Sequence, residues 1–316
     1  MGFLSDNFIA DGIFVVIKWM FEFIHDYSIV ILLITLVIRI IVLPLDIKQR
    51  KNTRMMANLG PELESLKKRY ANNPDQLNRK MQELYRERNV KPMAGCLPMI
   101  LQLFLLFAFF GALRSIVSEQ TVSLVLRAAH DGVENVQLPQ WLWVHNLWQP
   151  DSGLSGCMPS AAEFLTFLQT NAGSITPQTM VMLQNHGLIT YSGGTLQVAT
   201  EAYNTLTNNL IAANGLTGLN NGWFGLPVLA GVTLFFQQWQ SMKQNPTMQQ
   251  QGKMMLYIFP LFSVWICATS NTAFSIYWVV SNVYAILLNW ILDAFYKARE
   301  RKAEERSRIV ERKQTE

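Results

Sequence analysis

Charge is scarce in this sequence: 15% of its 316 residues are Asp, Glu, Lys or Arg, against about 25% in ordinary globular domains. Half the residues are hydrophobic, which excludes a disordered or collagen-like chain and argues for a membrane protein. Cysteine is scarcer still. Cys96, Cys157 and Cys267 stand far apart without a CxxC or a Cys/His cluster, so neither a disulfide framework nor a metal site is suggested. No GxxxxGK[ST] stretch exists, which leaves nucleotide-driven chemistry without its phosphate cradle. His25, His130, His145 and His186 all fall outside the apolar runs, so no base is available to a membrane hydrolase nucleophile. Neither an enzyme, nor a cofactor, nor a DNA partner is expected. Met1 to Ala10 has Asp6 and no Lys or Arg, so the amino terminus lacks the basic start of a cleaved signal and is expected to be retained.

What is present is long apolar runs. Hydrocarbon about 30 Å thick needs about 20 apolar helical residues. Tyr27 to Leu45, Cys96 to Leu113, Trp223 or Leu226 to Trp239, Met254 to Ala268 and Thr272 to Leu292 supply five candidate spans, and none contains Asp or Glu. The last two are joined by Thr269, Ser270 and Asn271 alone, which forces an antiparallel hairpin. Before them, Gly12 to Ile24 is too short to span, and Asp11, Lys18, Glu22 and His25 form one polar stripe. Such a helix either lies along the membrane surface or packs on other spans.

Basic residues set the orientation. Asp46 to Pro92 holds twelve Lys and Arg, Gln240 to Lys253 two and Asp293 to Glu316 eight, whereas Ala128 to Met242 holds none. The first three segments belong inside; the amino terminus and residues 114–222 belong outside. The expected order is an exterior segment with an interfacial helix (1–26), a first span (27–45), a cytoplasmic hairpin (46–92), a second span (93–113), an exterior loop (114–222), three more spans (223–292) and a basic tail (293–316).

Residues 46–92 have their own pattern. Leu59, Leu63, Leu66 and Tyr70, then Leu77, Met81 and Leu84 after the turn at Asn72-Asn73-Pro74-Asp75, recur at helical steps, predicting an antiparallel helical hairpin whose first arm is kinked or restarted at Gly60-Pro61. Its outer faces carry Lys67, Lys68, Arg69, Arg79 and Lys80. Those cations suit a solvated face near anionic lipid, each worth about 1 kcal/mol, or the docking of ribosomal RNA or a targeting partner.

Arg39 is the one charge within the five spans. An arginine deep in a span costs at least about 2.5–3.5 kcal/mol, so it either snorkels toward the headgroups past Leu45 or faces a polar groove. With no carboxylate in the other spans and with Thr35, Gln102, Gln237, Ser281, Asn282 and Asn289 as uncharged lining, a hydrated groove holding an unpaired positive charge is expected. That charge would attract acidic residues of a passing chain.

Several stretches carry a resemblance. Thr35-Leu36-Val37-Ile38-Arg39-Ile40-Ile41-Val42-Leu43-Pro44-Leu45, Gly95-Cys96-Leu97-Pro98, Leu226-Pro227-Val228-Leu229-Ala230-Gly231-Val232-Thr233, Pro246-Thr247-Met248-Gln249-Gln250 and Tyr277-Trp278-Val279-Val280-Ser281-Asn282 together resemble the YidC/Oxa/Alb family of membrane protein insertases, over roughly residues 10–148 and 223–298. The resemblance implies an all-α membrane protein of five transmembrane helices around a cytoplasm-open hydrophilic groove, in the bacterial plasma membrane. It places Arg39, Thr35, Gln102, Tyr277, Trp278, Ser281 and Asn282 in a groove that receives hydrophilic parts of nascent membrane proteins. The ribosome and a Sec translocon are further implied partners. A secondary transporter or channel with an intramembrane arginine is the competing reading, but it expects internal repeats and an intramembrane carboxylate. The chain departs from the family in three ways: no large globular domain or lipobox cysteine precedes the first matching span, residues 149–222 look inserted, and Ser270-Asn271-Thr272 replaces a Pro-Ser-Gly turn. Helices near Ala161–Thr170 and Val198–Ala213 are expected in the insertion, which by default forms a small exterior cap.

Overall fold

The computed structural model describes residues 8–88, 90, 97–170, 175–244 and 249–315; within these, the side chains of 97–102, 170, 244, 249–254 and 310–315 fall outside the description. The Gly95-Cys96 and Pro246–Met248 parts of the resemblance lie outside the described residues. Eleven α-helices run through the described chain: α1 (Phe8–Ile24), α2 (Tyr27–Asn58), α3 (Gly60–Arg69), α4 (Pro74–Glu87), α5 (Leu97–His130), α6 (Ala161–Thr170), α7 (Pro177–Asn185), α8 (Thr200–Ala213), α9 (Gly225–Gln244), α10 (Gln249–Thr269) and α11 (Thr272–Thr315). The one sheet among the described residues is a hairpin, β1 (Ile189–Ser192) paired antiparallel with β2 (Thr195–Val198). The protein is thus an all-α membrane protein with a small β-hairpin. α2, Leu103–His130 of α5 and Thr272–Ile309 of α11 are long and apolar enough to cross a bilayer, and Met255–Thr269 of α10 is apolar but shorter. α9 carries Gln237, Gln238, Gln240 and Lys243 in its second half and is not among them.

α2, α5 and α11 all continue well past the ends of their apolar runs. Hydropathy reports where lipid can surround a helix, not where the helix stops. After Leu45 the chain offers Lys48, Gln49, Arg50, Lys51 and Arg54, which favour helix, and nothing breaks α2 before Leu59-Gly60-Pro61. Pro61 then opens α3 within its first turn, where its missing N–H costs nothing.

The structure divides into two compact units: Met1–Thr35, Ile100–Gly231 and Leu261–Val279 form one, and Leu36–Met99, Val232–Pro260 and Val280–Glu316 the other.

In the first unit α1 has three stripes. Ala10, Ile13 and Ile17 are buried, Phe8, Val15, Val16, Trp19 and Phe23 are exposed, and Asp11, Lys18 and Glu22 lie between them, with Lys18 salt-bridged to Glu119 of α5 at 2.7 Å. One helix therefore both packs on its neighbours and offers an apolar face outward.

Polar side chains tie the insertion to the loop before it. Asn146 N–H donates to Asn221 Oδ1 at 2.6 Å, Asn221 Nδ2 donates back to Asn146 O at 2.9 Å, and Asn146 Nδ2 donates to Cys157 O at 2.7 Å. Asp151, fully buried, accepts from Trp143 Nε1 at 3.0 Å, Trp223 N at 3.0 Å and Leu226 N at 2.6 Å, so one carboxylate caps the start of α9 and anchors the insertion. Gly222 leaves room for it: an added Cβ would collide with Asp151 Oδ1. The hairpin turn at Gly193-Gly194 uses φ of +57° and +80°, a dipeptide signal for a tight turn. The start of α11 joins the same loop, since Thr272 N and Oγ1 both donate to Gln149 O, at 3.0 and 2.7 Å. Asn271 Oδ1 accepts from Phe274 N at 2.9 Å, so an asparagine caps the start of α11.

In the second unit α3 and α4 follow α2. Leu59, Leu63 and Val90 are buried, and Met55, Met56, Met81, Leu84 and Tyr85 pack against them. Leu66, Tyr70 and Leu77 are half-buried. Asn73 caps α4 by accepting from Gln76 N at 3.1 Å. The basic segment after Leu292 is the continuation of α11, bonded to α2 where Arg54 meets Glu300 at 2.7 Å and lies 5.1 Å from the Tyr296 ring.

Candidate functional site

Arg39 is 8% exposed in the second unit, held by a tyrosine of α11. Tyr284 Oη donates to the Arg39 carbonyl at 3.2 Å, and the ring centroid lies 5.8 Å from the guanidinium carbon, within cation–π range. Arg39 also feels a carboxylate. Asp46, two helical turns on, interacts electrostatically with Arg39 and Arg50, and Arg50 with Asp293 and Asp46. The expected unpaired positive charge is therefore corrected: Asp46 is near enough on α2 for Arg39 to act on it electrostatically. Restricting the search for a counter-ion to the apolar runs missed Asp46, which lies one residue beyond Leu45. The signal was the i, i+7 spacing, which puts both residues on one helix face.

Polar groups of α9 and α11 pair along the same unit. Asn282 Nδ2 donates to Thr233 Oγ1 at 3.2 Å, and Asn289 Nδ2 to Gln240 Oε1 at 3.2 Å; both partners repeat at a seven-residue step. Interhelical bonds of this kind contribute about 0.6 kcal/mol each in a membrane. Ser281 Oγ and Gln237 Oε1 are buried with no hydrogen-bond partner among the described residues. Uncompensated burial of such atoms is costly, so their presence suits a place that water or a polar chain enters.

The remaining groove candidates lie in the first unit. The Thr35 hydroxyl donates back to Ile31 O at 2.6 Å, satisfied within its own helix. Tyr277 stacks on Phe109 with centroids 4.0 Å apart, and Trp278 packs on Phe274 at 5.5 Å; Trp278 Nε1 is buried without a hydrogen-bond partner among the described residues. Gln102 lies in α5, but its side chain is outside the description. On the hairpin, Lys67, Lys68, Arg69, Arg79 and Lys80 are all exposed. Glu64 hydrogen-bonds Lys68 and raises its pKa, and Glu83 does the same for Lys80, so local glutamates answer two of the five cations.

A buried arginine on a membrane-length helix, its carbonyl bonded to a tyrosine of another, belongs to a polyhelical membrane protein. Comparison with known proteins makes this specific. A family profile described as 60Kd inner membrane protein matches residues 19–217 and 197–300, and the chain belongs to that family, the insertase family its motifs resemble. The membrane protein insertase YidC of Fusobacterium nucleatum is 49% identical over 94 residues, covering 30% of this chain and 46% of that protein. That of Clostridium perfringens is 38% identical over 125 residues, covering 40% and 45%. That of Chlorobium phaeovibrioides is 26% identical over 283 residues, covering 88% and 35%. The chain spans less than half the length of these relatives. It is a multi-pass protein of a bacterial membrane.

Proposed function

We propose that this chain is a membrane protein insertase and chaperone: it receives hydrophilic parts of nascent membrane proteins at Arg39 and releases their apolar segments laterally into the bilayer. The observation that carries the reading is Arg39 itself, a nearly buried cation in the same unit as the buried polar atoms of Ser281 and Gln237 that have no hydrogen-bond partner among the described residues, in a chain whose relatives bear the name membrane protein insertase. A cation in a low-dielectric groove attracts acidic residues strongly. It lowers the cost of bringing a short charged segment partway into the membrane. Ser281, Asn282, Thr233 and Gln237 supply hydrogen-bonding groups to peptide backbone in transit. Thr35, Gln102, Tyr277 and Trp278 enter the proposal from the sequence alone.

The proposed topology has five spans, α9 and α10 included, with the amino terminus outside and the carboxyl terminus in the cytoplasm. Work comes from hydrophobic transfer, the membrane potential and synthesis on the ribosome, with no nucleotide chemistry. The exposed cations of α3, α4 and the end of α11 are assigned to anionic lipid, with the ribosome and a Sec translocon as further partners.

The test is a charge series at Arg39 with a client whose exterior segment is short and acidic. Arg39→Lys is expected to retain most insertion, because charge matters more than the planar fork, and Arg39→Ala to lose about tenfold or more, the equivalent of one buried charge interaction. Normal insertion by Arg39→Ala refutes the reading.

A further inference from the structure

We infer that a cavity in the first unit, lined by α1, α5 and α7, is a docking site for a short, extended, acidic peptide: the exterior segment of a client after it has crossed. The origin of that peptide rests on the insertase reading, whereas the site rests on geometry. The cavity holds about 780 Å³, within the range of roughly 300–1,000 Å³ usual for ligand sites. One edge is the Lys18–Glu119 bridge at 2.7 Å. From Glu119 the lining follows α5 to His130, eleven residues on and about 16 Å along the helix axis. An extended chain covers about 3.4 Å per residue, so about five residues fit end to end.

The lining decides the class of ligand. Lys18 and Glu119 neutralise each other, while Arg127 and Asp131 form no salt bridge among the described residues. The His130 and His186 rings meet edge to face with centroids 5.8 Å apart, and both line the same cavity as Arg127. A bare anion is a poor match, because the charges of Lys18, Glu119, Arg127 and Asp131 cancel. A metal ion is another, since among the described residues no three His, Cys, Asp or Glu come together to hold one. A peptide matches each part. Its carboxylate suits Arg127 and the imidazole N–H groups, its backbone suits Asp131, Ser123, Thr179 and Asn185, and an apolar side chain suits Val122, Leu126 and Ile175. Depth decides against a phospholipid headgroup. The apolar run of α5 ends at Leu113, fourteen residues before Arg127 and about 21 Å back along the helix, whereas the headgroup layer extends about 5–8 Å beyond the hydrocarbon. Arg127 therefore meets a chain that has already left the membrane.

The experiment uses the full chain purified in detergent, with a photo-crosslinking residue replacing either Met182, which lines the cavity, or Leu154, which is exposed elsewhere in the insertion. The probes are two soluble synthetic peptides that differ only in carrying aspartates or asparagines. Saturable crosslinking of the acidic peptide at position 182, well above that at 154, is expected. Arg127→Gln is expected to weaken it roughly fivefold, the scale of an exposed ion pair, with the asparagine peptide unaffected. Thr179→Trp fills the cavity and is expected to abolish capture of both peptides, which keeps the idea testable if Arg127→Gln does not fold. Arg39→Ala is expected to leave peptide capture intact, because Arg39 lies in the other unit, so its insertion defect and a failure of capture are separate results. Equal labelling at 182 and 154, or capture indifferent to both cavity variants, overturns the inference while leaving the insertase reading in place. Competition by micelles of anionic phospholipid, with none by excess acidic peptide, overturns it in favour of a headgroup site.

Discussion

Tyr284 donates its hydroxyl to the backbone carbonyl of Arg39 at 3.2 Å, from a different helix and across 245 residues of sequence. The bond falls close to Pro44, whose missing N–H leaves the Ile40 carbonyl without its usual donor four residues on. A side chain from α11 thus braces α2 near the turn that its proline weakens, and the same ring faces the guanidinium.

Replacing Tyr284 by Phe keeps the ring and removes the bond. A loss of about 1 kcal/mol in stability is expected, read as a lowered Tm in detergent, with most insertion retained. Tyr284→Ala should lower both. Identical melting of Tyr284→Phe and the parent would mean that the hydroxyl contributes nothing.

Single cysteines in a cysteine-free background test the topology. Ala71, exposed at the hairpin turn, should resist an impermeant thiol reagent in intact cells. A cysteine replacing Leu154, 89% exposed, should react. Labelling at position 71 would invert the proposed orientation.

Asp151 satisfies three N–H donors in a buried setting. Asp151→Ala orphans all three, and a loss of about 3 kcal/mol or more is expected, visible as protease sensitivity of residues 149–222. Gly222→Ala should resemble it, because its methyl group needs the space that the carboxylate occupies. A protease-resistant Asp151→Ala protein would show that the insertion is held by other contacts.

Truncation after Arg301 removes Lys302, Arg306, Arg308, Arg312 and Lys313 but keeps Glu300 on Arg54. If this end docks on ribosomes, co-sedimentation should weaken and the loss should grow steeply with salt, as phosphate contacts do. Unchanged ribosome binding together with weaker binding to anionic vesicles would assign these cations to lipid alone.

Much was legible in the sequence because the relevant signals are local. Apolar runs marked the three helices long and apolar enough to cross a bilayer, a heptad-like step in Leu59, Leu63, Met81 and Leu84 marked the hairpin seam, and a lone arginine in an apolar run singled out Arg39. Helix ends were not legible from the apolar runs for a physical reason: the apolar run of α2 stops at Leu45, but helix-favouring charged residues carry the coil to Asn58. The β-hairpin was missed although Gly193-Gly194 announced its turn.

By itself the sequence determined that the chain is an all-α membrane protein and that a lone Arg39 in an apolar run needs a polar setting, since both follow from side-chain transfer energies read along the chain. Only the tertiary structure decided what surrounds Arg39. Tyr284 and Asp293 reach it or its neighbours from α11, the Asn146–Asn221 pair closes over 75 residues, and Asp151 finds its donors at 143, 223 and 226. Polar groups removed from water must be satisfied, but composition does not say by which distant partner; packing chooses among them.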